Sequence, residues 1–347
     1  MKYPRGLFVV LTLLLGTSTI PAVADPGYRL VPVADAGTAD VAVYDLNQRG
    51  ELVGTRSIAG VTRAFRWRAG QFTDLHDLID AASSYTQAVG INDRSTIVGD
   101  DYTNESFTGF LLRGTQLSPL TVVAGESQVY PLDINNRGQI IVDSYGGAHS
   151  GSFLVDGANV QWLAGLPGES DSMHAIAINE RGVVLGNTRT AAGTRAVLWQ
   201  DGVIMNLGVV AGATASFAYS VSNRDHVVGV VSIGFGSQGM RWRDGVMTLL
   251  PQLAGQAASS PESINDWDVI VGGTTFVQPE YRITATLWWG SHVVELDSLV
   301  RTDDPLQPFV HLASASHIND RGDIVATGFD SRAPGVRTTY FMTLFNN

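Results

Sequence analysis

The feature that most constrains this chain is a phrase that it repeats. "AIAINERGVVLG" (175–186) is an apolar stretch, an Asn-led turn and a second apolar stretch closed by Gly. Close variants stand at 43–54 ("VYDLNQRGELVG"), 88–99 ("AVGINDRSTIVG") and 315–326 ("ASHINDRGDIVA"). The turn-opening residues are Asn47, Asn92, Asn135, Asn179, Ser222, Asn265 and Asn319, at spacings of 45, 43, 44, 43, 43 and 54. An apolar residue, most often Trp, follows 20 positions later at Trp67, Leu112, Val155, Trp199 and Trp242, and 23 later at Trp288 and Met342. Two markers that hold one register are the signature of a repeat architecture.

Each unit reads as four short strands, as in "HAIAIN", "GVVLG", "RAVLW" and "VIMNLGVV". Runs of aliphatic and aromatic residues bounded by Gly, Asn and Asp favour strand over helix. No helical pattern follows residue 24. Four strands per unit of 40–45 residues, taken seven times, predict an all-β fold: a seven-bladed β-propeller of four-stranded blades over residues 25–347. The seventh unit ends after its third strand, and "YRLVPVADAG" (28–37) resembles the fourth-strand segments "VIMNLGVVAG" and "VMTLLPQLAG". The N-terminal strand is therefore expected to complete the last blade, closing the ring and removing a bare edge.

The turns explain the repeated phrase. Asn or Ser at the first position bonds its own backbone two residues on. The fourth position is Gly in four copies, Asp in two and Ser95 in one, residue types suited to the left-handed backbone of a bulged hairpin turn. Seven near-identical turns on one face read as scaffold.

These residues resemble the HAF-repeat family of extracellular bacterial proteins, whose unit runs approximately A-x-x-I-N-x-x-G-x-V-V-G, then H-A-F-x-W-x-x-G. "AIAINERGVVLG" with "RAVLWQDG", and "YDLNQRGELVG" with "RAFRWRAG", are the best copies. The family's His is absent: its place holds Arg63, Thr108, Gly151, Arg195, Gln238 or Thr284. The resemblance implies a secreted repeat protein and names no activity.

Lys2 and Arg5 precede an uncharged run from Leu7 to Gly16, and Ala22-Val23-Ala24 offers a small-residue cleavage site. Residues 1–24 are thus expected to be a signal peptide, with export to the periplasm or beyond. No later segment is apolar enough to span a bilayer, so no membrane insertion is expected. There is no Cys, so the exported fold must hold without disulfides. Lys2 is the sole lysine and leaves with the leader, which excludes lysine-based catalysis. A formal charge of −11 argues against nucleic acid as a partner. A monomer with no cofactor and no metal is expected; "DDYTNE" (100–105) is only faintly like a calcium loop, lacking its glycine and terminal Glu.

If the repeats are scaffold, function should lie where they differ. Counting back from the turn markers puts Tyr130 and His174 (five back), Tyr219 and Glu262 (three back) and His317 (two back) at the channel mouth, as candidate ligand contacts. Repeats 3 and 4 should bring Tyr130, Tyr145, His149, His174 and Arg189 onto one face. Such a set either contacts a sugar or forms the acid–base machinery of a polysaccharide lyase. Asp45, Asp133 and Glu262 invite a glycoside hydrolase reading. "GFGSQG" (234–239) lies between strands with no helix to follow, which removes a dinucleotide reading. The insertion "VRTDDPLQPFVH" (300–311) reads equally as a functional loop or as a surface loop near the ring closure. The leading expectation is a binding or recognition module for a polysaccharide or cell-surface molecule. The rivals are a lyase or hydrolase and a protein-interaction scaffold, for which a contiguous apolar patch would speak.

Overall fold

The computed structural model describes residues 27–34, 39–80, 82–103, 106–120, 128–146, 150–169 and 173–345. The expected leader and His149 lie outside the described residues. The fold is all-β. Successive strands pair antiparallel into four-stranded sheets, one per repeat, in the order first, second, third, fourth. In repeat 4 these are His174–Ile178, Val184–Thr190, Gly193–Gln200 and Val203–Asn206. Repeats 1 and 2 share one eight-stranded sheet, joined through the single parallel pair Thr62–Tyr85. Helix among the described residues is confined to single turns at His76–Ile79 and Leu296–Leu299, both between a fourth strand and the next first strand. Neither was foreseen, because four residues are too few to carry a helical period.

The core lies between consecutive sheets. Val183, Leu185, Ala196 and Leu198 of repeat 4 pack on Ala218, Val227, Met240 and Trp242 of repeat 5. Leu52, Phe65 and Trp67 of repeat 1 pack in the same way on Val325 and Phe341 of repeat 7. The second sequence marker is buried in every repeat, from Trp288 at 0% exposed to Val155 and Trp242 at 7%. It is the residue that fills these layers.

The turns are built as their residues require. Gly50, Ser95, Gly138, Gly182, Asp225, Asp268 and Gly322 all take positive φ. The Asn47 side-chain oxygen accepts the amides of Arg49 and Glu51, and the other Asn markers repeat this. The markers are buried as well, between 1% and 5% exposed, and the reason spans repeats. The side-chain amide of Asn47 donates to the Asn92 carbonyl, Asn92 to Asn135, Asn135 to Asn179 and Asn179 to Ser222, then Asn265 to Asn319 and Asn319 to Asn47, at 3.0–3.1 Å. A second circuit runs beside it through Gln48, Asp93, Asn136, Glu180, Asn223, Asp266 and Asp320. The backbone amide of each donates to a side-chain oxygen of the next, and that of Asp320 to Gln48, at 2.7–2.9 Å.

In the five repeats where Gly closes the phrase it meets a close approach, while repeats 3 and 7 carry Val142 and Ala326 there. Every first strand carries a β-bulge three residues before its turn marker, as between Ala175 and Ala177 and between Ala218 and Ser220. The bulge presses its backbone against the second strand: a Cβ on Gly229 would sit 2.0 Å from the Phe217 carbonyl oxygen, and one on Gly186 2.4 Å from that of His174.

At the N-terminus, Gly27–Pro32 pairs antiparallel with the third strand of repeat 7, Arg337–Phe345, with Leu30 opposite Met342. The strand lies one residue out of register with the sequence comparison, since Val33 takes the place that Leu207 holds in repeat 4. The 300–311 insertion lies along this strand. The Arg301 amide donates to the Tyr28 carbonyl, Asp304 accepts the Leu30 amide, and Asp303 pairs with Arg29.

Candidate functional site

The channel comes first, because the bulge decides what faces it. A bulge turns two neighbouring side chains to the same side, so the residues three and two before each marker line the channel together. Two cavities, of about 170 and 260 Å³, share Asp45, Leu46, Asp133, Ile178, Val221 and Ile318. The larger also takes in Tyr44, Tyr219, Glu262 and His317. Residues five back do not join them. His174 instead lines a cleft between repeats 3 and 4, and Tyr130 packs between Phe107 and Tyr145. Of the five candidates, Tyr219, Glu262 and His317 line the larger cavity, while Tyr130 and His174 lie farther along their strands, outside it.

The channel carboxylates are occupied. Asp45 accepts the amides of Leu46 and Ile91, and Asp133 those of Ile134 and Ile178. Ser220 and Ser263 accept the equivalent amides of Ile264 and Ile318. Burial pushes Asp45 up to about 6, and burial together with the Asp45 charge pushes Asp133 up as well. Burial raises Glu262, which accepts from the Ser260 hydroxyl. His317 is pulled down to about 4 by burial and is bonded to the Tyr44 carbonyl, so it is neutral at physiological pH. Asp45, Asp133 and His317 thus bind one repeat to another, and buried polar groups are ordinarily paired in this way.

The cleft between repeats 3 and 4 is different. It encloses about 400 Å³ and is lined by Asp143, Tyr145, Ser152, His174, Asn187, Thr188 and Arg189, among others. Thus Tyr145, His174 and Arg189 line one cleft, with Tyr130 edge-on to Tyr145 at 5.9 Å. The sequence reading missed the groups behind them. Asp143, on the second strand of repeat 3, reaches across to His174 on the first strand of repeat 4, with Oδ2 3.2 Å from Nδ1. Its other oxygen accepts from the Ser152 hydroxyl at 2.5 Å, and Ser152 in turn accepts the Ala175 amide. Asp143 and Ser152 are buried while the His174 side chain is 65% exposed. The hydrogen bond to Asp143 raises the His174 imidazole above its ordinary value, and burial and the Asp143 charge raise the Tyr145 phenol. A signal for Asp143 exists in the repeats. Eight residues after each marker stand Thr55, Asp100, Asp143, Asn187, Val230, Gly273 and Thr327, and only repeats 2 and 3 place a carboxylate there.

Leading toward the cleft is a row of rings. Tyr85 and Tyr102 contact Phe107 at 6.2 and 4.8 Å, Phe107 contacts Tyr130 at 5.1 Å, and Tyr130 contacts Tyr145. Beneath it Asp100, fully buried, accepts from Gln87, and burial pushes its carboxyl up to about 6. Exposed apolar side chains elsewhere stand at loop tips, as at Phe235, Tyr281 and Val336, or on fourth strands, as at Leu117, Val203, Met205, Val246 and Leu249.

No protein-family profile matches the chain, and neither does any curated protein sequence. Solved structures do match. Virginiamycin B lyase from Staphylococcus aureus superposes with a TM-score of 0.51 at 11% identity, over 92% of this chain and 100% of that one. YCF48 from Cyanidioschyzon merolae gives 0.54 at 9% identity, over 91% and 98%. A prolyl endopeptidase gives 0.55 at 7% identity over 93% of this chain, which spans about half of that one (51%). The fold is that of a β-propeller. At such identities the likeness extends to the fold alone. Among the described residues no helix is long and apolar enough to cross a membrane.

Proposed function

We propose that the chain is an exported, closed seven-bladed propeller of the HAF-repeat kind that binds a polysaccharide at the cleft between repeats 3 and 4. The ring reading is supported by the two hydrogen-bond circuits that pass from repeat 7 to repeat 1 and by the pairing of the N-terminal strand with repeat 7. The single observation that carries the ligand reading is the aromatic row running from Tyr85 to Tyr145 and ending in a polar cleft. Ring faces pack on the apolar faces of sugars, while His174 and Arg189 offer hydrogen bonds to hydroxyl and carboxylate groups. The channel is the poorer site, because Asp45, Asp133 and His317 are already engaged in holding repeats together.

The test is retention of the protein in gels containing neutral or uronate-rich polysaccharides. Tyr145→Ala is expected to weaken binding by about 1 kcal/mol, roughly fivefold, and Glu262→Gln in the channel to leave it unchanged. Absence of retention by every polymer, or loss through Glu262→Gln with Tyr145→Ala neutral, contradicts the proposal.

A further inference from the structure

We propose that this cleft also cleaves a uronate-bearing chain by β-elimination, with His174 as the base, Tyr145 as the acid and Arg189 holding the uronate carboxylate. This rests on the reading of the cleft as a polysaccharide site and goes beyond it. The argument begins with what His174 has committed. Its Nδ1 is held by Asp143, and Asp143 is fixed from behind by Ser152, so the imidazole has one nitrogen anchored. Among the described residues its Nε2 has no partner, and the ring stands exposed in the cleft. An oriented imidazole with one free nitrogen is the geometry of a general base.

The other two groups answer the other two needs of the reaction. The hydrogen at C5 of a uronate is hard to remove because the carboxylate beside it is already negative. A guanidinium on that carboxylate stabilises the charge that builds up when the proton leaves. Arg189 is an exposed cation of the cleft with no hydrogen-bond or ion-pair partner among the described residues. The leaving oxygen at C4 needs a proton, and Tyr145, whose phenol is held above its ordinary value by burial and by Asp143, carries one at neutral pH.

The step balances without an oxidant or a water molecule. The C5–H bond breaks and its proton goes to His174 Nε2. The electron pair forms the C4–C5 double bond, and the C4–O4 bond breaks with its pair on the oxygen, which takes the Tyr145 proton. Solvent then moves a proton from His174 back to Tyr145. Asp143 is a positioning residue. It keeps Nδ1 protonated, and by raising the imidazole it makes His174 a stronger base that is free to act only above that raised value.

The purified protein would be incubated with polygalacturonate, alginate and hyaluronate, following the ultraviolet absorbance of the new conjugated uronate together with retention in gels of each polymer. The expected result is product from at least one polymer, at a rate that rises with pH as His174 loses its proton. His174→Gln, at an exposed position, should lower that rate at least about 100-fold, far more than it weakens retention, and Asp143→Asn should move the rising limb to lower pH. Retention without product from any polymer overturns the elimination and leaves the binding proposal intact. Neither retention nor product overturns both. Product formation indifferent to His174→Gln overturns the assignment of the base.

Discussion

Asn319 donates its side-chain amide to the backbone carbonyl of Asn47 at 3.1 Å, across 272 residues of sequence. This bond returns the first circuit to repeat 1, and the same contact recurs at five other junctions. Repeat 5 lacks it. Ser222 has no amide group to donate, and its hydroxyl accepts from Arg224. Ser222→Asn is therefore expected to raise stability by about 1 kcal/mol, read as a higher melting midpoint. Asn135→Ala should lower it by on the order of 3 kcal/mol, since the amides of Arg137 and Gln139 and the Asn179 carbonyl all lose a buried partner. A midpoint that does not move in either variant removes the circuit as a source of stability.

The second circuit should respond to pH. Burial, with the charges of Asp266 and Asp93, pushes the Asp320 carboxyl up to about 6, although it accepts the Asp266 amide. An acid raised on folding binds its proton more tightly in the folded chain. Its contribution is thus most favourable below the ordinary carboxylate range and is lost as pH rises through about 6. Asn136 and Asn223 already donate to neighbouring carboxylates at equivalent positions. Asp320→Asn should accordingly be more stable than the parent by about 1 kcal/mol at neutral pH, with the difference shrinking to nothing near pH 4. Denaturation midpoints measured from pH 4 to 8 decide it; a constant offset across that window counts against the argument.

Removing the N-terminal strand should be costly. Tyr28, Leu30 and Val33 are 1%, 7% and 1% exposed, and the strand supplies partners to Arg337–Phe345 along its length. Deleting residues 25–34 is expected to lower stability by several kcal/mol, from the apolar burial alone. Asp304→Ala, which leaves the strand in place and removes one acceptor for the Leu30 amide, should lower it by about 1–2 kcal/mol. An undiminished melting midpoint in the deletion would mean that the pairing contributes nothing.

Gly229→Ala tests the bulge. The added methyl would meet the Phe217 carbonyl oxygen at 2.0 Å, and backbone cannot swing aside as a side chain can. A loss of about 2–3 kcal/mol is expected. The same change at Gly236, where a Cβ meets nothing within 4 Å, should be close to neutral. Equal effects at the two sites would show that crowding at the bulge is not what requires glycine.

The repeat, the strand order within each sheet and the left-handed fourth turn position were legible because each rests on residues close together in sequence. The bonds from each Asn marker to the next were not, because their acceptors are backbone carbonyls one repeat away, which no residue type announces. The site was half legible. Tyr145, His174 and Arg189 were found from their chemistry. Asp143 and Ser152 were not, since the contact that gives them meaning joins the second and third strands of one repeat to the first strand of the next. Tyr219, Glu262 and His317 line the larger channel cavity, whereas Tyr130 and His174 lie farther along their strands, outside it.

The second circuit asks little of its members. Gln, Asp, Asn and Glu all serve in it, for the only demand is an oxygen within reach of the next turn's amide. Every repeat presents the same donor on one side and the same kind of acceptor on the other. A duplicated repeat would therefore find compatible partners on both flanks wherever it was inserted, and a lost one would leave no unmatched ends. Such a joint is modular: it lets the number of units and the face they display change while the rule that fastens them stays the same.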